Sequence, residues 1–250
     1  MPHIHIDQLY KTYPGSPPVQ ALESISLDIQ PGEFVALLGP SGCGKSTLLN
    51  IIASFEQPTS GVLTVGGQTI ATPGPDRGVV FQEAALFPWL TVWENIVFGP
   101  KAQGLPPSDY EARAEEMLNI MGLKDFRNHL PIQLSGGMRQ RVGIARVLTL
   151  GSQILLMDEP FGALDAQTRL TMQELLLSVW ERLKPTIIFV THDIDEALFL
   201  ADKIYVMSAR PGRMESVIDT HLARPRAIEM TATPEFNELK LQILKTIRSH

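Results

Sequence analysis

The sequence has very little cysteine, no long apolar run and no cluster of like charges. One cysteine, Cys43, stands among 250 residues, so the chain forms no internal disulfide. No stretch approaches the roughly 18 consecutive apolar residues of a membrane-spanning helix. The first residues, MPHIHIDQLYKTY, lack the basic and apolar regions of a signal peptide. We therefore expect a soluble, cytosolic chain whose membrane role, if it has one, needs a separate protein.

The balance of charge excludes a further class of protein. Lys and Arg total 21 against 27 Asp and Glu, a net charge of −6. A nucleic-acid binder that works through bulk positive charge is thereby excluded, and we expect no nucleic-acid partner. Hydrophobic residues make up 44% of the chain, which excludes intrinsic disorder. The length suits one large α/β domain or two small ones.

The apolar residues follow two different strand patterns. Apolar and polar residues alternate at 4–9, 25–29 and 62–65, as in antiparallel strands with one wet face. Continuous apolar runs occupy residues 34–38, 78–81, 154–157, 187–190 and 204–207. Such runs indicate parallel strands that are buried on both faces and connected by helices.

Helical patterns fall between these runs. We predict helices over residues 46–55 and 166–183, and an amphipathic helix from residue 233 to the end of the chain. Another begins at Ser108, whose spacing to Glu111 is that of a capping box, and ends at Gly122. About 70 residues separate two of the buried runs, too many for one crossover, so we predict an inserted helical subdomain at 83–150.

A phosphate-binding loop follows the first buried run. The residues Gly39, Pro40, Ser41, Gly42, Cys43, Gly44, Lys45 and Ser46 fit G-x-x-x-x-G-K-[ST] between a strand and a helix. Glycines let backbone N–H groups surround an anion, and the following helix directs its positive end toward it. Lys45 is expected to reach the β- and γ-phosphates, Ser46 to bind Mg²⁺ and Thr47 to lie at the α-phosphate.

The thiol of Cys43 lies beside Lys45 and close to a helix N-terminus. Both neighbours lower the pKa of a thiol. We expect a maleimide to label Cys43 and MgATP to slow the labelling; the alternative is a buried, inert cysteine.

Two acids end the third buried run. Asp158 at the carboxyl end of a parallel strand is placed to hold Mg²⁺ through its water shell. Glu159 beside it is the candidate general base for an attacking water. An ordinary strand end with solvated acids is the alternative.

A second anion site is predicted at residues 134–141, LSGGMRQR. Ser135 is an N-cap residue, and Gly136 and Gly137 leave backbone N–H groups open at the helix start. Together with the phosphate loop, the sequence MDEP and Thr191-His192-Asp193, this segment resembles the ATPase subunit of ATP-binding cassette (ABC) transporters. The resemblance extends over nearly the whole chain.

The resemblance implies a fold, cofactors and residue roles. The fold is one α/β P-loop NTPase domain over residues 1–250, with a RecA-like, mainly parallel sheet, an N-terminal antiparallel β subdomain and the helical insertion. The cofactors are ATP and Mg²⁺. Tyr13 is expected to stack on adenine, Gln82 to touch Mg²⁺ and report to the membrane partner, Asp165 to communicate across a dimer, and His192 to contact the γ-phosphate. A buried tyrosine and a surface glutamine are the alternatives for the first two.

The same resemblance implies partners. Each motif occurs once, so a second ATPase subunit, a copy of this chain or a close paralogue, completes each site. In the family ATP lies between the phosphate loop of one subunit and the LSGG helix of the other.

Large apolar side chains are concentrated between residues 86 and 93. They are Leu86, Phe87, Trp89, Leu90, Val92 and Trp93. We predict that Leu86, Phe87 and Trp89 contact a transmembrane permease subunit, with a buried core as the alternative for Trp93. The segments at 74–82, 165–169 and 208–213 resemble importers of nitrate, taurine, alkanesulfonates and related small anions. An external solute-binding protein would then deliver the anion, and the chain would lie peripherally on the cytoplasmic face of the inner membrane.

Three other interpretations remain open. A soluble, non-transport ABC ATPase of translation or DNA repair is disfavoured because the chain has one phosphate loop and no sustained heptads. A kinase or GTPase is disfavoured because it would have no use for LSGG. An ABC exporter subunit is disfavoured only by the resemblance to importers.

Overall fold

The computed structural model describes residues 2–248. The strands are, in chain order, β1 (Ile4–Tyr13), β2 (Val19–Ile29), β3 (Phe34–Leu38), β4 (Ser60–Val65), β5 (Gln68–Thr69), β6 (Arg77–Val80), β7 (Ile154–Asp158), β8 (Thr186–Thr191), β9 (Lys203–Met207) and β10 (Met214–Asp219). The helices are α1 (Lys45–Ile52), α2 (Val92–Ile96), α3 (Phe98–Ala102), α4 (Pro107–Ile120), α5 (Gly136–Leu150), α6 (Ala166–Leu183), α7 (Ile194–Leu200) and α8 (Pro234–Arg248).

The chain forms two compact units. The first contains the residues up to Gly74 and those from Lys184 onward, and the second is Pro75–Leu183. The predicted helical subdomain, residues 83–150, falls within the second unit, which also contains β6, β7 and α6. Its boundaries therefore stay a prediction.

An antiparallel sheet in the order β2-β1-β4-β5 opens the first unit. Ile4 pairs with Ile29 on one side and Val65 on the other. Ile4 and Ile6 are buried whereas His5 between them is exposed, the alternation that the sequence predicts. The predicted antiparallel strands are thus present, and β1 runs further than expected, to Tyr13.

Parallel strands form the other part of the first unit. β3 pairs in parallel with β8 and with β9, and β10 adds antiparallel to β9. Every residue of β3 and β8 is buried, because α1 packs against β8 while α7 packs against both strands. Leu38 pairs with Thr191 at the carboxyl ends of β3 and β8. The phosphate loop and His192, which follow these two residues, therefore leave the sheet at the same edge.

The second unit is built around α5. This helix packs against α2, α3, α4, α6 and the strand β6. The parallel pair β6 and β7 places Val80 beside Met157. Asp158 therefore ends β7, and Gln82 and Glu159 follow their strands, at the same edge.

One predicted helix start is wrong. α4 begins at Pro107, with Pro106 as its N-cap and no side-chain cap. Ser108 lies inside the helix and donates to Asp109 Oδ1 at 3.0 Å instead of capping. The fixed φ of proline favours the first helical position, so Pro107 sets the start and the capping-box spacing to Glu111 is coincidental.

The predicted amphipathic tail helix is present as α8. Phe236 and Ile243 are buried, and the helix packs against α7 and β9. The expected helix runs to the end of the chain, whose last two residues lie outside the described part. In residues 2–248, no helix combines the length and the apolar character that crossing a bilayer requires.

Candidate functional site

The phosphate loop connects β3 to α1 in the first unit. Gly42 and Gly44 have φ of 76° and 98°, a left-handed conformation that glycine adopts without steric cost. Gly44 is the N-cap of α1, no side chain caps the helix, and its first turn holds no acid. The N-terminal amides and the positive end of the helix dipole are therefore available to an anion.

Lys45 is folded across this loop. The residue is 5% exposed, and its Nζ donates to Gly39 O at 2.7 Å and Pro40 O at 2.9 Å. Both acceptors are neutral carbonyls, so the charge of the ammonium is not cancelled by them. Ser46, in the first turn of α1, is exposed and Thr47 is half-buried. The loop thus has the amides, the cation and the hydroxyl that a triphosphate and its metal ion require.

The expectation of a reactive thiol at Cys43 is wrong. Cys43 is 1% exposed, and a Cβ on Gly39 would lie 2.9 Å from its Sγ. Burial raises the pKa of Cys43 despite Lys45, whose Nζ lies 3.8 Å from Sγ. The structure agrees with the alternative of a buried cysteine, in which desolvation of the thiolate outweighs the nearby positive charge.

Two further predicted residues lie in the first unit. Tyr13 ends β1, half-buried, with the Lys11 ammonium 4.8 Å from its ring centroid. His192 is exposed and follows β8 directly. Asp193 next to it caps α7 by accepting from the amides of residues 195 and 196. His192 is therefore fixed between a buried strand and a capped helix.

Gln82 and Glu159 face a common space in the second unit. A Cβ placed on Gly162 would lie 3.3 Å from Gln82 Nε2 and 3.6 Å from Glu159 Oε2. Glu159 has φ of 43°, a conformation that costs a non-glycine residue energy and that is common at functional sites. Asp158, the last residue of β7, is half-buried. Gly162 belongs to residues 161–165, the segment that ends at Asp165 and that the resemblance assigns to communication across a dimer.

The helix α5 begins as predicted, with Ser135 as its N-cap. Ser135 Oγ accepts from Met138 N at 3.3 Å, and the exposed hydroxyl keeps its own hydrogen for another acceptor. The first turn holds no acid. Gly136 is exposed, and the nearest atom to a Cβ placed on it would be Leu164 Cδ2 at 3.8 Å, so its amide is open to an anion.

Gly137 serves a different purpose from Gly136. It is buried, and a Cβ there would lie 2.6 Å from Thr168 Cγ2. Thr168 N in turn donates to Asp165 Oδ1 at 3.0 Å, and the hydrogen bond with Thr168 lowers the pKa of Asp165. These contacts join the start of α5 to the segment that contains Asp165. Thr168 was missed because nothing in the local sequence indicates this packing.

The predicted permease contact lies within residues 82–89, which we call the 82–89 segment. Trp89 is 71% exposed, and Leu86 and Phe87 are half-buried. Leu86 helps to line a cavity of about 490 Å³. The other lining residues are Gln82, Glu83, Ala84, Ala85, Pro131, Gly136, Arg139, Gln140, Pro160, Ala163 and Leu164. The segment therefore presents one exposed aromatic ring, and its residues 82–86 line an open cavity.

Two of the large apolar residues between 86 and 93, Val92 and Trp93, belong to α2 and not to the 82–89 segment. Val92 is fully buried because Thr91 and Glu94 form a capping box that starts α2 at Val92. The box was missed at first, although its T-x-x-E spacing is visible in the sequence. Trp93 is half-buried, with the Arg127 guanidinium 3.6 Å from its ring.

The donor set suits magnesium rather than a metal held by protein alone. In the described part of the chain, no group of three or more His, Cys, Asp or Glu side chains could hold a metal ion. Mg²⁺ in nucleotide sites is bound by one or two protein oxygens together with phosphates and water. Ser46 in the first unit and Asp158 in the second each offer one oxygen of that kind, and Mg²⁺ bound with ATP would neutralise phosphate charge.

Comparisons with known proteins identify the family. Residues 22–162 match the family described as ABC transporter. The chain is 48% identical over 236 residues to the taurine import ATP-binding protein TauB of Rhizobium johnstonii, a match that covers 92% of this chain and 90% of that protein. It is 44% identical over 253 residues to the nitrate import ATP-binding protein NrtD of a Synechocystis species, with coverages of 98% and 95%.

A solved structure has the same fold. The dimeric, post-hydrolysis state of the ATP-binding cassette MJ0796 bound to ADP and Pi matches with a TM-score of 0.74 and 35% identity, covering 86% of this chain and 98% of that one. The chain belongs to the ABC transporter family and is an ATP-hydrolysing cassette. The predicted α/β P-loop NTPase fold is thereby confirmed.

The burial of Cys43 predicts that a maleimide leaves the native protein almost unlabelled. Only local opening exposes the thiol, and its raised pKa keeps the thiolate fraction low. Labelling followed by mass spectrometry should be at least about 100-fold slower in buffer than in urea. Equal rates in the two solvents would show that the thiol is accessible.

The two glycines at the start of α5 should respond differently to alanine. Gly137→Ala forces a methyl group against Thr168 and should lower the free energy of unfolding by about 1–3 kcal/mol. Gly136→Ala meets no close neighbour and should leave it unchanged or raise it by up to about 1 kcal/mol. Urea unfolding of both variants measures the difference, and similar losses in the two would contradict the packing against Thr168.

Proposed function

We propose that this chain is the ATP-hydrolysing subunit of an importer that takes up a small anion such as nitrate, taurine or an alkanesulfonate. The observation that carries the proposal is its near-full-length similarity to import ATP-binding proteins named for taurine and nitrate. Exporter and soluble cassette ATPases share the motifs, so the motifs alone do not support import.

The chemistry that we propose is transfer of the γ-phosphoryl group of ATP to water. Lys45 and the amides of the phosphate loop stabilise the charge that develops on the phosphates. Glu159 accepts a proton from the attacking water, and His192 positions the γ-phosphate. Ser46, Gln82 and Asp158 hold Mg²⁺, and Tyr13 stacks on the adenine with the face that Lys11 leaves open.

A second ATPase subunit completes each site in this proposal. Ser135, Gly136 and Gly137 bind the γ-phosphate of the nucleotide held by the partner chain, a second copy or a close paralogue. The exposed hydroxyl of Ser135 and the open start of α5 support this role, and so does the dimeric state of the cassette MJ0796. Asp165, linked to α5 through Thr168, senses that nucleotide.

The membrane partner in this proposal is a permease that docks at Leu86, Phe87 and Trp89. The exposure of Trp89 and the position of Leu86 at the open cavity support that contact. The chain then lies peripherally on the cytoplasmic face of the inner membrane. An external solute-binding protein supplies the anion, and no nucleic acid takes part.

Uptake by cells tests import directly. A strain that lacks this chain should lose uptake of labelled nitrate, taurine or an alkanesulfonate, and the wild-type chain should restore it. Restoration by Glu159→Gln, or unchanged uptake of all three solutes in the deletion strain, would overturn the proposal.

The variant Glu159→Gln should bind ATP but hydrolyse it about 10²- to 10⁴-fold more slowly, because it loses the proton acceptor and keeps the shape. ATP should then hold two chains together in gel filtration. Phosphate release measures the rate, with Glu181→Gln on the exposed face of α6 as the control. Hydrolysis at the wild-type rate would show that Glu159 is not the base.

The variant Trp89→Ala should fold normally, because its ring is 71% exposed, and should bind the membrane more weakly. Loss of a central aromatic contact costs an interface about 2 kcal/mol or more, roughly a 30-fold change in affinity. Sedimentation of the chain with cell membranes measures the effect. Leu241→Ala, 56% exposed on α8, is the control, and equal sedimentation of both variants would exclude Trp89 from the docking site.

A further inference from the structure

Two side chains of α5 hold the backbone of the 82–89 segment and of the residue before it. Gln140 Nε2 donates to Phe81 O at 3.2 Å. Arg146 donates through Nη1 to Ala85 O at 3.0 Å and through Nη2 to Ala84 O at 3.3 Å. The planar fork of a guanidinium suits two neighbouring carbonyls, whereas an ammonium is a single point of charge. Arg146 has no role in any of the motifs described above.

The surroundings of Arg146 are costly for a cation. The residue is half-buried, and burial lowers its pKa. Its Cζ lies 5.7 Å from the centroid of the Phe87 ring, within the range of a cation–π contact. A cation in such a place is stable only because hydrogen bonds compensate for its desolvation. The bonds to Ala84 and Ala85 are therefore strong constraints on the segment.

The backbone that Arg146 holds is itself strained. Ala85 has φ of 43°, in the left-handed region that costs an alanine about 1–3 kcal/mol. Such a conformation persists only where the surroundings fix it. Relaxation of Ala85 would redirect the chain on both sides of it, toward Gln82 in one direction and Phe87 in the other.

A different residue maintains the turn that follows. Asn95, fully buried on α2, accepts from Phe87 N at 2.9 Å and donates to Leu90 O and Thr91 O at 3.0 Å. Asn95 therefore fixes the internal shape of the turn. Arg146 attaches that turn to α5, which begins about 15 Å away along the helix axis at the open amides beside Ser135.

We propose that Arg146 is a positioning residue that fixes the 82–89 segment to α5, so that the segment and the start of α5 move as one body. The attachment forms within one chain and needs no partner. Its use rests on the proposed function: force applied by a permease at Trp89 reaches Ser135 through Arg146.

The same helix offers a matched control. Arg141 lies five positions earlier on α5 and donates through Nη1 to Met121 O at 3.2 Å, while its Nε lies 3.3 Å from Met172 Sδ. Arg141 thus ties α5 to a different backbone carbonyl with the same chemistry. If these hydrogen bonds only stabilise α5, Arg146→Gln and Arg141→Gln should change the hydrogen exchange of the 82–89 segment equally.

Hydrogen exchange of the full-length chain, followed by mass spectrometry, tests the attachment. The amides of Phe87 and Leu90 are protected by hydrogen bonds to Asn95 Oδ1 and Phe87 O. Arg146→Gln should accelerate exchange in the peptide 82–91 by about ten- to a hundredfold, because without its two charge-assisted bonds the strained Ala85 relaxes and the turn that begins at Phe87 opens more often. Arg146→Lys should show a smaller increase, and Arg141→Gln should leave this peptide unchanged.

Steady-state ATPase kinetics of the same proteins provides the second measurement. Arg146→Gln should lower kcat several-fold with a smaller effect on the KM for ATP, because Arg146 bonds to Ala84 and Ala85 rather than to the phosphate loop, which makes most of the proposed contacts with ATP. Unchanged exchange of the peptide 82–91, an equal increase in Arg141→Gln, or a KM that rises as much as kcat falls would overturn the proposal. These results do not depend on import, so a failed uptake assay with the wild-type chain would reject the proposed function and leave the attachment standing.

Discussion

A helix start that no carboxylate neutralises is the physical constraint on which the candidate site depends. Helix α1 begins after a glycine-rich loop and α5 begins with two glycines of its own, and neither helix has an acid in its first turn. The orphan amides and the helix dipole then favour an anion at each start. Lys45 adds a full charge at one start, and the Ser135 hydroxyl adds a neutral donor at the other. The full charge suits the start of α1 for lasting binding of phosphates. The neutral hydroxyl suits the start of α5 for a contact that forms and breaks.

The rigidity of the second unit follows from how tightly α5 is packed. A Cβ on Gly78 of β6 would lie 1.8 Å from Val147 Cγ1, and one on Gly137 would lie 2.6 Å from Thr168 Cγ2. Close-packed interfaces of this kind transmit displacement instead of absorbing it. α5 therefore cannot shift at its start without carrying its neighbours, and the hydrogen bonds of Arg146 extend that body to the 82–89 segment.

Strands, helices and caps that depend on neighbouring residues could be predicted from the sequence, whereas contacts between residues far apart in the chain could not. The apolar run 34–38 gives a buried strand wherever it lies, and Ser135 caps α5 through an amide three residues away. Cys43 was misjudged because distant residues pack around it: a Cβ placed on Gly212 would lie 2.0 Å from Cys43 O, and no local pattern reveals a neighbour 169 positions away. Arg146 gave no signal for the same reason, since its partners lie about 60 positions earlier.

Charge explains why the nucleotide itself would join two such chains. Each chain has a net charge of −6, so two copies repel at separations within the Debye length of about 8 Å at physiological salt. A bound triphosphate adds further negative charge, which Lys45 and Mg²⁺ together would balance only in part. The open start of α5 on a second chain offers the dipole and amides that would balance the remaining charge. Each chain has one phosphate loop and one open α5 start, so two chains could each complete the site of the other. In the proposed dimer, hydrolysis would divide the shared triphosphate into ADP and phosphate and would remove the attraction that opposes the repulsion between the two chains.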